Sequence, residues 1–327
     1  MKDKVSGILK YILSAALAVL LLWFSFRDVE WKNFVFQLKE CRWEFIVLSM
    51  LIGVLAFWVR GLRWRQLLLP IDRYVSRLTT FNGINIGNIS NFVFPRIGEF
   101  VRCGVVTRRN TISYDKVLGT VILERGWELL VMLLLLCVVV IGGFERFGSF
   151  FAEKIWVPLS ARFDSGLWII ALFLVLAGGV ILFLIWKFRD RNNICAKVYG
   201  VFNGLMQGFS SCLKMPRKWL FFTYTLLIWL MYWAMAASTI WAAPFLDGLD
   251  LIDALFLSLV GGLGFAVPVP GGIGAFHFII SLALASLYGI PMETGIIYAT
   301  ISHTSQAVVQ VLAGTASYVS EAFIRRK

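Results

Sequence analysis

Five stretches of this 327-residue chain contain no Asp, Glu, Lys or Arg: residues 11–26, 45–59, 166–186, 219–244 and 294–320. These runs constrain the fold more than any other feature. About 20 apolar residues make a helix that crosses a bilayer, and charged groups near its ends can snorkel to the surface. A sixth run, 117–143, is apolar except for Glu124, Arg125 and Glu128. Backbone in lipid must satisfy its own hydrogen bonds, which leaves helices and closed barrels. Runs this long fit helices, not the short alternating strands of a barrel. Charged residues make up only 15% of the chain, against about 25% in a soluble domain. The expectation is an all-α polytopic membrane protein forming a single transmembrane domain over 1–327. The first run ends in Leu22-Trp23-Phe24-Ser25-Phe26 without a small-residue cleavage site, so it reads as a retained span.

A net charge of +12 raises the question of nucleic acid. Its placement argues for a membrane instead. With the N-terminus inside, most Lys and Arg fall in the inner segments 1–10, 60–77, 108–116, 187–218 and 325–327. The outer segments 244–253 and 289–295 hold none. This predicts a multi-pass inner-membrane protein with both termini cytoplasmic and no nucleic-acid partner. The cysteines Cys41, Cys103, Cys137, Cys195 and Cys212 lack metal or redox spacing. No phosphate-binding loop, zinc motif, nucleophile elbow or dinucleotide fingerprint occurs, so no metal, cofactor or nucleotide hydrolysis is expected. Asp247, Asp250 and Asp253 recur every third residue; they read chiefly as a helix cap in an acidic outer loop, with a divalent-cation site as the alternative.

Two further apolar pieces are interrupted. Between 77 and 108 the sequence "NFVFPRIGEFVRCG" sets Pro95, Gly98 and Gly104 among Arg96, Glu99 and Arg102. Between 254 and 292 the interruption is "VPVPGGIG", with Pro270, Gly271, Gly272 and Gly274. Proline costs roughly 3 kcal/mol inside a helix and glycine about 1, so each piece should fold as a hairpin of two half-helices. The predicted architecture is about six full spans plus two broken hairpins, in inverted halves 1–143 and 166–327. Pro/Gly-interrupted segments at matching places in two inverted halves point to a transporter's midplane site. A half-helix start presents backbone N–H groups and a positive dipole end. Starts near Gly98 and Gly272 to Gly274, with Arg96 beside them, would suit a phosphate. The competing reading is that the breaks are packing kinks and that Arg96 and Glu99 neutralise one another.

Glu124 and Glu128, four apart, share a helix face, whereas Arg125 is expected to point elsewhere. They either face the cavity, pairing with Arg96 or Arg102, or snorkel at headgroup level. Arg60 and Arg63, with Trp64, read as an interfacial segment that anchors the chain or grips anionic headgroups. His303 lies in the polar stripe "ISHTSQ"; together with His277 and Glu128 it is a candidate for proton coupling, or else hydrogen-bonded packing.

Arg60-Gly61-Leu62-Arg63-Trp64, then Asn88 with Pro95 to Glu99 and Arg102, then Glu124-Arg125, then Pro268 to Gly274 occur in this order. The set resembles the lysylphosphatidylglycerol synthase transmembrane family, the flippase-like membrane region of multiple-peptide-resistance proteins, over nearly the whole chain. The resemblance implies movement of an anionic phospholipid or polyprenyl phosphate between leaflets, and a separate lipid-modifying enzyme as a possible partner. Lysyl transfer is not implied, because no synthase domain follows the last span. The family often carries an acid just after the second motif's glycines, where this chain has Phe276-His277. The residues the resemblance marks for substrate are Arg60, Arg63, Asn88, Arg96, Gly98, Glu99, Arg102, Glu124, Arg125, Pro270, Gly271, Gly272 and Gly274. An integral-membrane enzyme acting on a lipid phosphate is the alternative function.

Overall fold

The computed structural model describes residues 16, 19, 20, 22, 23, 26, 27, 29–148, 150–160, 184–189 and 193–323. The expected spans at 11–26 and 166–186 lie largely outside these residues, as does the basic tail 325–327. Among the described residues there is no strand.

The helices are α1 (Trp31–Glu40), α2 (Trp43–Leu68), α3 (Arg77–Val93), α4 (Gly98–Arg109), α5 (Tyr114–Gly142), α6 (Asn193–Ser210), α7 (Lys218–Trp241), α8 (Leu251–Gly264), α9 (Ala275–Tyr288) and α10 (Met292–Phe323). Among the described residues, four helical stretches are long and apolar enough to cross a membrane: α2, α5, α7 and Pro270–Tyr288, which adds a short turn before α9. α10 has the length, at 32 residues, but its Ser302-to-Gln306 stripe makes it more polar. Leu133, Leu134, Val138 and Ile141 of α5 stand exposed along one helix. In water such a row would be an unusual apolar patch; in lipid it meets its own kind.

Both interruptions fold as the sequence predicts. Phe94, the residue before Pro95, is extended, and Arg96 takes a left-handed φ of 61°, the only non-glycine among the described residues to do so. α3 therefore stops and α4 turns back along it. The closest approach is between glycines: a Cβ on Gly98 would lie 2.0 Å from the Gly87 carbonyl oxygen. In the second hairpin α8 ends at Gly264, and Gly271, Gly272 and Gly274 have φ of 59°, 75° and 83° before α9 begins. Only glycine takes such values without strain.

The element order span, half-helix, break, half-helix, span thus occurs twice, as α2–α5 and α7–α10. The packing follows the same exchange. α2 packs on α7; α3 packs on α10 as α8 packs on α5; α4 packs on α5 as α9 packs on α10. One apolar core, including Leu136, Phe147, Phe256, Leu259, Ile280, Leu284 and Tyr298, joins α5 to the second hairpin and α10. Another, including Trp64, Leu67, Ile84, Cys103, Val117 and Phe221, joins α2 to the first hairpin and α5.

Candidate functional site

The two breaks meet. The Phe92 ring stands over Gly271, where a Cβ would come within 2.7 Å of it, and Arg96 donates from Nη2 to the Ala266 carbonyl at 2.6 Å. Arg96 is therefore an exposed bridge between the corners, outside the charge cluster described next.

Several backbone amides at the breaks, those of Gly98, Phe100, Val101 and Gly272 to Gly274, are already hydrogen-bonded, so the helix start at Gly98 offers fewer open donors than the sequence suggests. Gly98 N–H donates to Asn91 Oδ1 at 2.8 Å, and Phe100 and Val101 N–H both reach the Ile97 carbonyl. At the second break Gly272 N–H goes to Val269, Ile273 N–H to Pro270, and Gly274 N–H to His277 Nδ1 at 3.4 Å. Tight turns consume their own polar groups, as lipid demands. Gly272 and Gly274 therefore shape the corner with their amides already engaged.

The charge lies one step deeper, against the first hairpin. Seven ionisable side chains from α2, α4 and α5 join in one network. Glu124, fully buried, accepts from Arg63 Nη2 at 3.0 Å and from Arg102 Nη1 at 2.7 Å. Glu128 pairs with Arg63 at 2.5 Å and Arg125 at 2.6 Å, with Arg60 Nε 3.9 Å away. Glu99 bridges Arg102 at 3.2 Å and Arg125 at 2.9 Å. Trp64 lies 4.8 Å from the Arg102 guanidinium and fixes its own indole N–H on Thr120 at 3.0 Å. Four arginines face three carboxylates, so the network carries a formal excess of one positive charge. Arg63 Nε and Nη1 and Arg102 Nε are buried without hydrogen-bond partners.

Two expectations are corrected here. Arg125 does not point away from Glu128 but pairs with it one turn on, because its long side chain folds back along the helix. Arg63 is fully buried and Arg60 nearly so, which makes them members of the network rather than headgroup anchors. Of the two arginines expected for Glu124, Arg102 is the partner, while Arg96 goes to the Ala266 carbonyl. A narrow cleft, too tight in this conformation to admit a water molecule, lies beside the network, lined by Ile84, Gly87, Asn88, Asn91, Gly98, Glu99, Arg102 and Arg125. Asn88 Nδ2 is buried and unpartnered at its edge. Asn91, which sequence reasoning missed, caps the returning half-helix; an Asn a few residues before a Pro-Gly break was the available signal.

The chain's two histidines meet at the second break, rings 5.1 Å apart, framed by Phe265 and Phe276. His303 Nε2 lies 2.9 Å from the Gly271 carbonyl. They are remote in sequence from Glu128 and belong to the other corner.

Asp250 caps α8, accepting from Ile252 and Asp253 N–H, and Arg146 pairs with Asp250 at 2.9 Å and Asp253 at 2.6 Å. The Asp253 N–H and Arg146 together hold the Asp250 carboxyl below its ordinary range. Asp250 and Asp253 thus form a cap with an arginine partner, Asp247 lies 3.9 Å from Arg42 instead, and among the described residues no His, Cys, Asp and Glu group could hold a metal ion.

Residues 11–314 match the family described as "Lysylphosphatidylglycerol synthase TM region". The chain belongs to that family. It is also similar to a protein named "Glycosyltransferase AglD" from Haloferax volcanii, 24% identical over 349 aligned positions, which cover 97% of this chain and 54% of that protein. The chain spans about half the length of this relative. No solved structure matches. Family and apolar helices together make this a multi-pass membrane protein.

Proposed function

We propose that the protein moves an anionic, phosphate-bearing lipid between leaflets, with the phosphate held in the cleft by Arg102 and Arg125. The observation that carries the reading is the surplus arginine of the buried network beside a cleft floored by Gly87 and Gly98. Ionisable groups are expensive within a membrane and mark substrate paths. Four guanidinium groups sharing three carboxylates leave charge and N–H donors for a fourth anion, and phosphate geometry suits the guanidinium fork. The glycines let a headgroup approach the backbone closely. Membership of the family and likeness to a protein named for glycosyl transfer support lipids or lipid-linked sugars as the substrate class.

The halves α2–α5 and α7–α10 are proposed to be inverted copies. Their repeated order and exchangeable packing support this, and it gives transport its geometry. Proton coupling through His277 and His303, a separate lipid-modifying partner enzyme and an inner-membrane location with both termini cytoplasmic belong to the same reading. The enzyme alternative draws on the printed name of the longer relative, and that name describes the whole relative.

Lipid binding separates these ideas. Purified protein in detergent, offered phosphatidylglycerol, a polyprenyl phosphate and phosphatidylcholine, should retain the anionic lipids preferentially by native mass spectrometry. Arg125→Gln should lose that preference. Equal retention of zwitterionic and anionic lipid by the unmodified protein would refute the site. Conversion of the polyprenyl phosphate to a new product would establish the enzyme instead.

A further inference from the structure

Two polar clasps outside the cleft remain unexplained by the site. In the first, Glu321 near the end of α10 accepts from Arg109 Nε at 2.5 Å and from Asn82 Nδ2 at 2.8 Å. It ties the tail of one long helix to both half-helices of the first hairpin, α3 and α4. In the second, Asp253 on α8 accepts from Tyr288 Oη at 2.6 Å, at the end of α9, and from Arg146 at 2.6 Å, just past the end of α5. Arg146 also lies 5.5 Å from the Tyr288 ring. That clasp ties the tail of the other long helix to both half-helices of the second hairpin.

The two are counterparts under the exchange of halves. Asn82 corresponds in place to Asp253, Arg109 to Tyr288, and Glu321 to Arg146. The residue types differ, yet each clasp joins the same three elements. They also lie on opposite faces. α5 runs 29 residues from beside Arg109 to just before Arg146, and α10 runs 32 residues from beside Tyr288 to Glu321. At 1.5 Å per residue each path is about 40 Å or more, enough to cross a bilayer.

We infer that these clasps are the two gates of an alternating-access cycle, one on the Arg109 face and one on the Arg146 face. This inference rests on the transport reading. Each hairpin carries its break to the shared centre and its open end to one face. Holding both half-helices to the opposite half's long helix closes that face. Both clasps are made here, so both hairpins are held against the opposite half. Opening one requires parting an ion pair with its hydrogen-bonded neighbour, a discrete event of the kind that makes a two-state element. The clasps belong to different hairpins, so one can part while the other holds.

The test reads access, not transport. A cysteine-free chain carrying Asn88→Cys in the cleft is reconstituted in vesicles and labelled with a membrane-impermeant maleimide from each face separately. Weakening the first clasp with Glu321→Gln should raise labelling from the Arg109 face roughly fivefold or more, the ratio expected when one partly buried pair is lost. Labelling from the Arg146 face should fall. Tyr288→Phe or Arg146→Gln should do the reverse. The swap Arg109→Glu with Glu321→Arg should restore the original rates if the pair itself is the gate. Both conservative variants keep side-chain size, so a variant that fails extraction has a replacement. Unchanged labelling, or a rise from the same face for both clasps, overturns the inference. Lipid exchange is measured separately, so responsive clasps without any exchange would sink the transport reading and leave the gates standing.

Discussion

Glu124→Gln probes the buried network with the least change in shape. The amide fills the same space but removes the charge that Arg63 and Arg102 share at 3.0 Å and 2.7 Å. Removing one partner of a buried ion pair costs about 3–5 kcal/mol, because the other is left uncompensated. Arg63 keeps Glu128 and Arg102 keeps Glu99, which places the cost near the lower end, about 3 kcal/mol. With about 2.1 cal/mol/K of unfolding entropy per residue over 327 residues, the melting temperature should fall on the order of 4 °C. Thermal unfolding in detergent measures this, with Glu145→Gln, an exposed site, as the control that should not move. A double-mutant cycle with Arg63→Met should show strong coupling, since the second change removes the charge the first left stranded. The same substitution raises the network's positive excess, so anionic lipid should bind Glu124→Gln more tightly, whereas Arg102→Gln weakens it. Stability equal to the unmodified protein, or additive effects of the two changes, would refute the reasoning.

Gly98→Ala should part the first hairpin, because its Cβ would sit 2.0 Å from the Gly87 carbonyl oxygen and also meet Asn91. Overpacking of this kind costs about 1–3 kcal/mol, and the loss should appear in thermal unfolding while Gly104→Ala, in open space, leaves stability unchanged. At Arg96 two changes separate the bridge from the strain. Arg96→Ala loses the bond to Ala266 and keeps the left-handed φ, whereas Arg96→Gly loses the bond but relieves the strain. The glycine variant should be the more stable by about 1 kcal/mol in the same assay, and an alanine variant of equal stability would show that the backbone is unstrained there.

The breaks were legible because Pro95, Pro270 and the glycines forbid a continuous helix whatever surrounds them. The pairing of Glu124 with an arginine was legible for a related reason: a carboxylate in an apolar run must find a cation. Arg63 was not. Arginines after a span serve anchoring as readily as a buried network, and only the packing of α2 against α5 decides between them. The engagement of the Gly98 and Gly272 to Gly274 amides was not legible, because a sequence shows where a helix starts but not which turn atom takes a given N–H group. Asn91, His277 and the short turns around Val269 and Pro270 supply those atoms. Nor could spacing foresee that His277 and His303, 26 positions apart, would share one corner, since that depends on α9 lying against α10.

Leaflet exchange in proteoliposomes tests the central claim most directly. Vesicles carrying labelled phosphatidylglycerol or polyprenyl phosphate in one leaflet, with purified protein, should scramble or move at least one of these lipids well above protein-free vesicles. Arg102→Gln should abolish the gain and phosphatidylcholine should stay in place. Rates equal to protein-free vesicles for every anionic lipid, or exchange untouched by Arg102→Gln, would contradict the account.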